Sequence, residues 1–131
     1  MKTIQTILLA AVTLSACTTS SVREKINITG RWRIERAMGI EAIENSPAFI
    51  NFAADGTLNG NATVNVFSGA YSISEHNLSF DDIATTEMMG EGIEVEDAVF
   101  KALRLTTTVA VTARHAYLLD SKADTVLWLV R

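Results

Sequence analysis

The side chains best suited to acid–base or metal chemistry are two histidines, His76 and His115, and the adjacent pair Asp81-Asp82. Both histidines fall in predicted hairpin turns, where a solvated imidazole is expected. Neighbouring residues of a strand point to opposite faces, so the two aspartates do not form one acid–base pair, and we interpret them as edge or surface charges. The serines form no nucleophile elbow, and the glycines form no phosphate loop. We therefore assign no catalytic residue and no cofactor.

Met88 and Met89 are the other side chains that could bind a ligand, here a soft metal ion. Neither a cysteine nor a close histidine accompanies them, so they would make a poor metal site. Methionine is an adaptable filler of hydrophobic cores, and we expect both side chains to be buried. No metal site is predicted.

The single cysteine, Cys17, stands at the end of an apolar leader. The apolar run that precedes it is far shorter than the roughly 20 residues of a membrane-spanning helix. It ends in Leu14-Ser15-Ala16-Cys17, which resembles the bacterial lipobox, so Cys17 is the expected lipidation site. We predict a lipoprotein signal peptide at 1–16, a lipidated tether at 17–27 and one domain at 28–131. Thr18, in place of a retention aspartate, favours lipid anchoring in the outer membrane, facing the periplasm.

Length and charge limit the classes of partner. The 131 residues suit one domain, and removal of the leader leaves ten basic residues against fifteen acidic ones. An acidic domain gains nothing electrostatically from a polyanion, so we expect no nucleic-acid partner. Membrane contact is expected only through the N-terminal lipid.

The hydrophobic periodicity predicts an antiparallel-rich α+β domain with one helix. The spacing of apolar residues over 95–103 is that of a helical face. Gly39 to Pro47 is expected to be a loop, Asp55-Gly56 a turn, and Asn59-Gly60 a turn or bulge. Strands are predicted at 30–37, 48–52, 57–58, 67–73, 78–83, 107–112, 116–119 and 125–130.

Two sequence blocks resemble the META domain, the HslJ-like family of small bacterial envelope lipoproteins. The first block runs from Phe49-Ile50-Asn51-Phe52 through Asp55-Gly56 and Gly60 to Asn65-x-Phe67-x-Gly69-x-Tyr71. The second comprises Leu78-x-Phe80 and Ile83 to Met88, followed by a helix match at Glu96 to Leu103. The resemblance implies a curved sheet, a half-barrel, packed around one helix, and no established enzymatic reaction. We interpret the motif residues as structural: Gly60, Asn65, Phe67, Gly69, Tyr71, Thr86 and Met88.

The chain departs from the family pattern at Val64 and Gly90. Relatives often carry cysteines at these two places, which the resemblance implies are paired. This domain would then lack a bridge worth a few kcal/mol, and we expect an undiminished apolar core to offset it.

Three hypotheses for the function remain open. The first is a non-catalytic envelope stress, assembly or binding module, whose concave sheet or sheet edge receives an envelope protein, an apolar peptide or a lipid chain. The second is a small envelope hydrolase that pairs His76 or His115 with a carboxylate; it requires the two groups to converge in one concave pocket. The third is a structural lipoprotein without a fixed ligand, which a completely filled interior would favour.

Overall fold

The computed structural model describes residues 25–42 and 45–131, which form nine strands and one helix. The predicted signal peptide, Cys17 and most of the predicted tether lie outside the described residues. Ile26, at the end of that tether, is partly buried against the core. In chain order the elements are β1 (Gly30–Ala37), β2 (Ile40–Glu41), β3 (Phe49–Phe52), β4 (Thr57–Asn61), β5 (Val66–Ser74), β6 (Asn77–Thr85), α1 (Ile93–Leu105), β7 (Thr108–Val111), β8 (His115–Leu119) and β9 (Thr125–Val130).

All the strands belong to one antiparallel sheet that curls into a ring. The strand order is β2-β1-β3-β4-β5-β6-β7-β8-β9, and β1 also pairs with β9. β1 meets β3 through Gly30 to Arg33 on one side and β9 through Arg33 to Ala37 on the other. The prediction of an α+β half-barrel with one helix is therefore confirmed.

The ring is incomplete between β6 and β7. Only one residue pair, Asn77 and Thr108, joins the two strands, flanked by hydrogen bonds from Leu78 N to Thr107 O and from Val109 N to His76 O. In an antiparallel pair, the residues that precede Thr107 would lie beside the rest of β6. Most of these residues belong to α1, which packs mainly against β9, β1 and β2, so no described strand continues the ladder along the rest of β6.

The core fills the concave side of the sheet and one face of α1. Strand residues of alternating burial and the helix residues Val95, Val99 and Ala102 form a single hydrophobic cluster. The helix packs mainly against β9, β1 and β2. Buried Trp32 donates its indole N–H to Ile28 O over 2.8 Å, which ties the start of the domain to this core.

Three predicted local features differ from the structure. Asn59-Gly60 is neither a turn nor a bulge, since both residues lie inside β4. A Cβ on Gly60 would lie 2.4 Å from Phe49 O and 2.5 Å from Phe67 Cζ, so this glycine permits a close approach within the sheet. The helix extends two residues further at each end than predicted, and the predicted loop over 39–47 contains the short strand β2.

Candidate functional site

A half-open groove separates the free edge of β6 from α1, and we call it the β6–α1 groove. Its volume is about 640 Å³. β6 supplies one wall and the helix the other, and Thr106 lies at the end where the helix stops. The lining residues are Ser79, Phe80, Ile83 and Thr85 of β6 with Asp97, Phe100, Leu103 and Arg104 of α1. It is the kind of apolar concavity with a few polar groups that binds ligands.

The floor of the groove rests directly on the core. The Phe80 ring lies 6.2 Å from that of Phe52, and the Phe100 ring contacts Phe67 edge-to-face at 5.5 Å. Ile83 packs over Gly69, where an added Cβ would lie 2.6 Å from Ile83 Cδ1. These three apolar side chains of the groove floor are held in place by packing, Phe80 and Phe100 against other rings and Ile83 against a glycine.

The β6 wall offers unpaired main-chain groups. Leu78 directs its N–H toward β7, and alternate residues of a strand direct their main-chain groups to the same side. The N–H and C=O of Phe80 therefore face the groove. Within the described ranges, 25–42 and 45–131, no strand pairs with Ser79 to Thr85 on this side.

The two aspartates of β6 mark a register irregularity. Asp81 and Asp82 are both exposed, as predicted, and Asp82 has a positive φ of 54°. The register with β5 shifts here, between Ser68 and Ala70 of the partner strand. Simple alternation of faces therefore does not hold at this pair, and both carboxylates are exposed charges on β6.

The helix wall carries one charge of each sign. Asp97 and Arg104 are exposed, seven residues apart on one face of α1, and neither forms an ion pair with another described residue. Asp97 lies toward the Thr85 end of β6, because the adjacent Glu96 is bonded to Asn65, which in turn bonds Thr86 just after β6. Arg104 lies toward the other end, where the chain after the helix bonds Leu78. The β6–α1 groove is thus acidic at one end and basic at the other.

A buried hydrogen-bonded cluster anchors the start of α1. Glu96 is only 3 % exposed. Its Oε1 accepts hydrogen bonds from Asn65 N at 2.6 Å and Val64 N at 3.2 Å, and its Oε2 accepts one from Asn65 Nδ2 at 2.5 Å. Asn65 Oδ1 in turn accepts from Thr86 Oγ1 and Met88 N, both at 2.7 Å, and Asn65 Nδ2 donates to Met88 O. Together these contacts join the β4–β5 turn, the segment after β6 and the helix.

The methionine prediction is wrong. Met88 is 59 % exposed and Met89 is 83 % exposed, so neither fills the core. The cluster uses the main-chain N–H and C=O of Met88 and leaves its side chain outside. The burial of Glu96 was not predicted, because its position among Glu91, Glu94 and Asp97 is typical of a solvated charge.

The remaining motif residues lie in and around the aromatic core. Phe67 is buried over Gly60, and Tyr71 donates its hydroxyl to Ala53 O at 2.5 Å while its ring meets Phe52 edge-to-face at 5.0 Å. Burial, with a smaller contribution from the charge of Asp55, raises the pKa of Tyr71. These contacts have packing roles, as do those of Gly69.

The histidines lie away from the groove. His76 is exposed in the β5–β6 turn, as predicted. His115 is half-buried and begins β8, rather than lying in the turn, and its ring stacks on Tyr117 with centroids 5.9 Å apart. Neither lines the β6–α1 groove, so the structure does not bring a histidine to Asp97. No three metal-ligating side chains gather within the part of the chain that the structure describes.

Val64 and Gly90 are neighbours in space. A Cβ built on Gly90 would lie 3.3 Å from Val64 Cγ1, although 26 positions separate the residues along the chain. The two places where relatives often carry cysteines are therefore close enough for a side-chain bridge.

Comparisons with solved structures find similar folds. No curated protein matches this chain. Among solved structures, a DUF4847 family protein from Bacteroides vulgatus is 12 % identical with a TM-score of 0.63 (78 % of this chain, 92 % of that one). A protein from Burkholderia xenovorans is 24 % identical with a TM-score of 0.60 (78 % and 81 %). A third structure, determined by NMR, is 22 % identical with a TM-score of 0.61 (77 % and 88 %). These likenesses concern the fold alone.

The family assignment rests on the sequence match. No helix in the described part of the chain is long and apolar enough to cross a bilayer. The META domain model matches residues 24–131, which include every strand and the helix. The chain belongs to the META domain family.

Proposed function

We propose that this protein is a non-catalytic, lipid-anchored binding module of the bacterial envelope, and that the β6–α1 groove is its binding site. The observation that carries the proposal is the coincidence, in one groove, of an apolar floor and an unpaired strand edge. Exposed strand edges are normally covered or blocked, and a free edge beside apolar side chains is a common way to bind another chain.

The proposed anchor is a lipid at Cys17. Support comes from the apolar leader, the Leu14-Ser15-Ala16-Cys17 sequence, and Thr18 after the cysteine. Several acyl chains on one residue would hold the domain stably at the outer membrane. The groove would then collect ligands or partner proteins on the periplasmic side, in an envelope stress or assembly role.

Membrane fractionation tests the anchor. The Cys17→Ala variant should leave the outer-membrane fraction and should not incorporate labelled palmitate. Thr18→Ala is the matched control, because it changes the next residue and keeps the thiol. A Cys17→Ala protein that stays firmly in the membrane fraction would contradict lipid anchoring.

In-cell photocrosslinking tests the groove. A photoreactive amino acid at Ser79 or Asp97 should give reproducible adducts, because both positions are exposed and line the groove. The same amino acid at Glu94, exposed on the same helix, is the control. If Glu94 gives the same adducts, or the groove positions give none, the groove is not the binding site.

A further inference from the structure

We propose that the β6–α1 groove binds an extended peptide segment that adds to β6 as an antiparallel strand, with a basic side chain beside Asp97 and an acidic one beside Arg104. The inference rests on the proposed function, since it names the ligand class of the same groove. It follows from the main-chain pattern, the sheet geometry and the charges of the two walls.

The main-chain groups of β6 select a peptide over a lipid chain. The N–H and C=O of Phe80 face the groove, in line with the N–H of Leu78 that bonds Thr107. An extended peptide offers the alternating donors and acceptors that satisfy such groups. An acyl chain would cover the same apolar floor and leave these groups without partners, which is costly once water is removed.

The sheet sets the direction of the peptide. β7 pairs with β6 in the antiparallel sense, and only at Asn77 and Thr108. A peptide that continues this ladder along β6 therefore enters beside Thr85 and leaves beside Ser79. Its N-terminal half lies near Asp97 and its C-terminal half near Arg104.

The charges set the sequence pattern. Asp97 and Arg104 are seven residues apart, which is about 10 Å along a helix. Residues i and i+4 of a strand share one face and lie about 14 Å apart. Long side chains can make up the difference between this spacing and that of the two helix charges. The preferred peptide is therefore basic-x-apolar-x-acidic from N to C, and the central apolar side chain rests between Phe80 and Phe100.

A pair of peptides with opposite sequence direction tests this pattern. The forward peptide, Thr-Lys-Thr-Phe-Thr-Glu-Thr, and the reversed peptide, Thr-Glu-Thr-Phe-Thr-Lys-Thr, have identical composition; both carry blocked termini and a fluorophore. Binding is measured by fluorescence anisotropy at low ionic strength, with the full chain in lipid nanodiscs. We expect the forward peptide to bind about five-fold more tightly, since two exposed ion pairs contribute modestly.

Exchange of the two groove charges should reverse this preference. In the double variant Asp97→Lys with Arg104→Glu, the reversed peptide should bind more tightly. The matched control is Glu94→Lys with Lys101→Glu, which exchanges two exposed charges of the same helix at the same spacing, outside the groove. The control should keep the forward preference, and N-methylation of alternate amides should weaken the forward peptide about ten-fold.

Each of the following results would overturn the inference. Equal affinity for the two peptides, or a preference that the groove exchange leaves unchanged, refutes the charge pattern. Insensitivity to N-methylation refutes strand addition. If a dansylated undecanoic acid binds and both peptides fail, the occupant is an acyl chain; the peptide inference is then wrong while a binding role for the groove stands. If neither probe binds and the groove photocrosslinks are also absent, the proposed function itself fails.

Discussion

Replacement of Glu96 by glutamine tests whether the buried cluster holds α1 to the sheet. The two side chains have the same shape, so packing is preserved. Glutamine, however, brings an amide NH₂ group to a place where Asn65 supplies only donors. Asn65 cannot turn its amide to compensate, because its Oδ1 already accepts from Thr86 Oγ1 and Met88 N. Either orientation of the new side chain therefore places a donor against a donor.

The expected loss follows from these hydrogen bonds. Glu96→Gln removes at least one hydrogen bond to a charged group, so the free energy of unfolding should fall by roughly 2 kcal/mol. Glu96→Ala leaves the main-chain N–H groups of Val64 and Asn65 without their acceptor, and the loss should reach roughly 3–4 kcal/mol. Glu94→Gln is the matched control: Glu94 is exposed and shares the first helical turn, so both substitutions change the interaction with the helix dipole equally. It should cost no more than about 0.5 kcal/mol.

Urea denaturation followed by tryptophan fluorescence measures these differences, since Trp32 is fully buried. The order of midpoints should be wild type, Glu94→Gln, Glu96→Gln, Glu96→Ala, from highest to lowest. If Glu96→Gln and Glu94→Gln unfold at the same urea concentration, water or another group satisfies the Asn65 donors. That result would refute a dependence of the cluster on the Glu96 carboxylate.

Three further substitutions test other contacts. The double variant Val64→Cys/Gly90→Cys should be about 3 kcal/mol more stable when oxidised than when reduced, because the bridge closes a long loop between neighbouring side chains. Equal denaturation midpoints with and without reductant would show that the bridge does not form or does not stabilise the fold. In urea denaturation, Gly60→Ala should lower the free energy of unfolding by about 2–3 kcal/mol, because the new Cβ meets the rigid carbonyl of Phe49. The control Gly90→Ala should lower it by less than about 1 kcal/mol. An unchanged free energy of unfolding in Gly60→Ala would contradict the close approach. Tyr71→Phe should cost about 1 kcal/mol at pH 7 through its lost hydrogen bond. The pKa of Tyr71 is raised, so its contribution is present below about pH 10 and is lost as the pH rises through the folded-state pKa. The free energies of unfolding of wild type and Tyr71→Phe should therefore converge as the pH of the urea titration is raised. A difference that stays constant with pH would refute the stabilising role of the Tyr71 hydroxyl.

The strands and the helix were largely predictable because their signals are local. Alternation of apolar and polar residues located β1 and β9 with their bounds, and a change to helical spacing located α1. Gly60 misled the prediction, since the same residue type serves a tight turn and a close approach between strands. The distinction depends on Phe49 and Phe67, which belong to other strands.

The candidate site was less predictable. The groove exists because the residues before β7 form a helix that packs mainly against β9, β1 and β2, away from β6. No local pattern in β6 shows that its outer edge stays unpaired. Asp97 and Arg104 likewise appear in the sequence as ordinary surface charges of a helix, and only the position of the helix brings them to the groove.

Periodicity and short motifs were enough to predict the α+β class, the family and the exposed position of His76, because each depends on residues that are near one another in the chain. Tertiary structure alone decided that Glu96 is buried while Met88 and Met89 are exposed, the reverse of what their side-chain polarity suggests. The physical reason is that the burial of a polar group depends on its partners. Asn65 is distant along the chain from both Glu96 and Met88, and folding brings their donors and acceptors together.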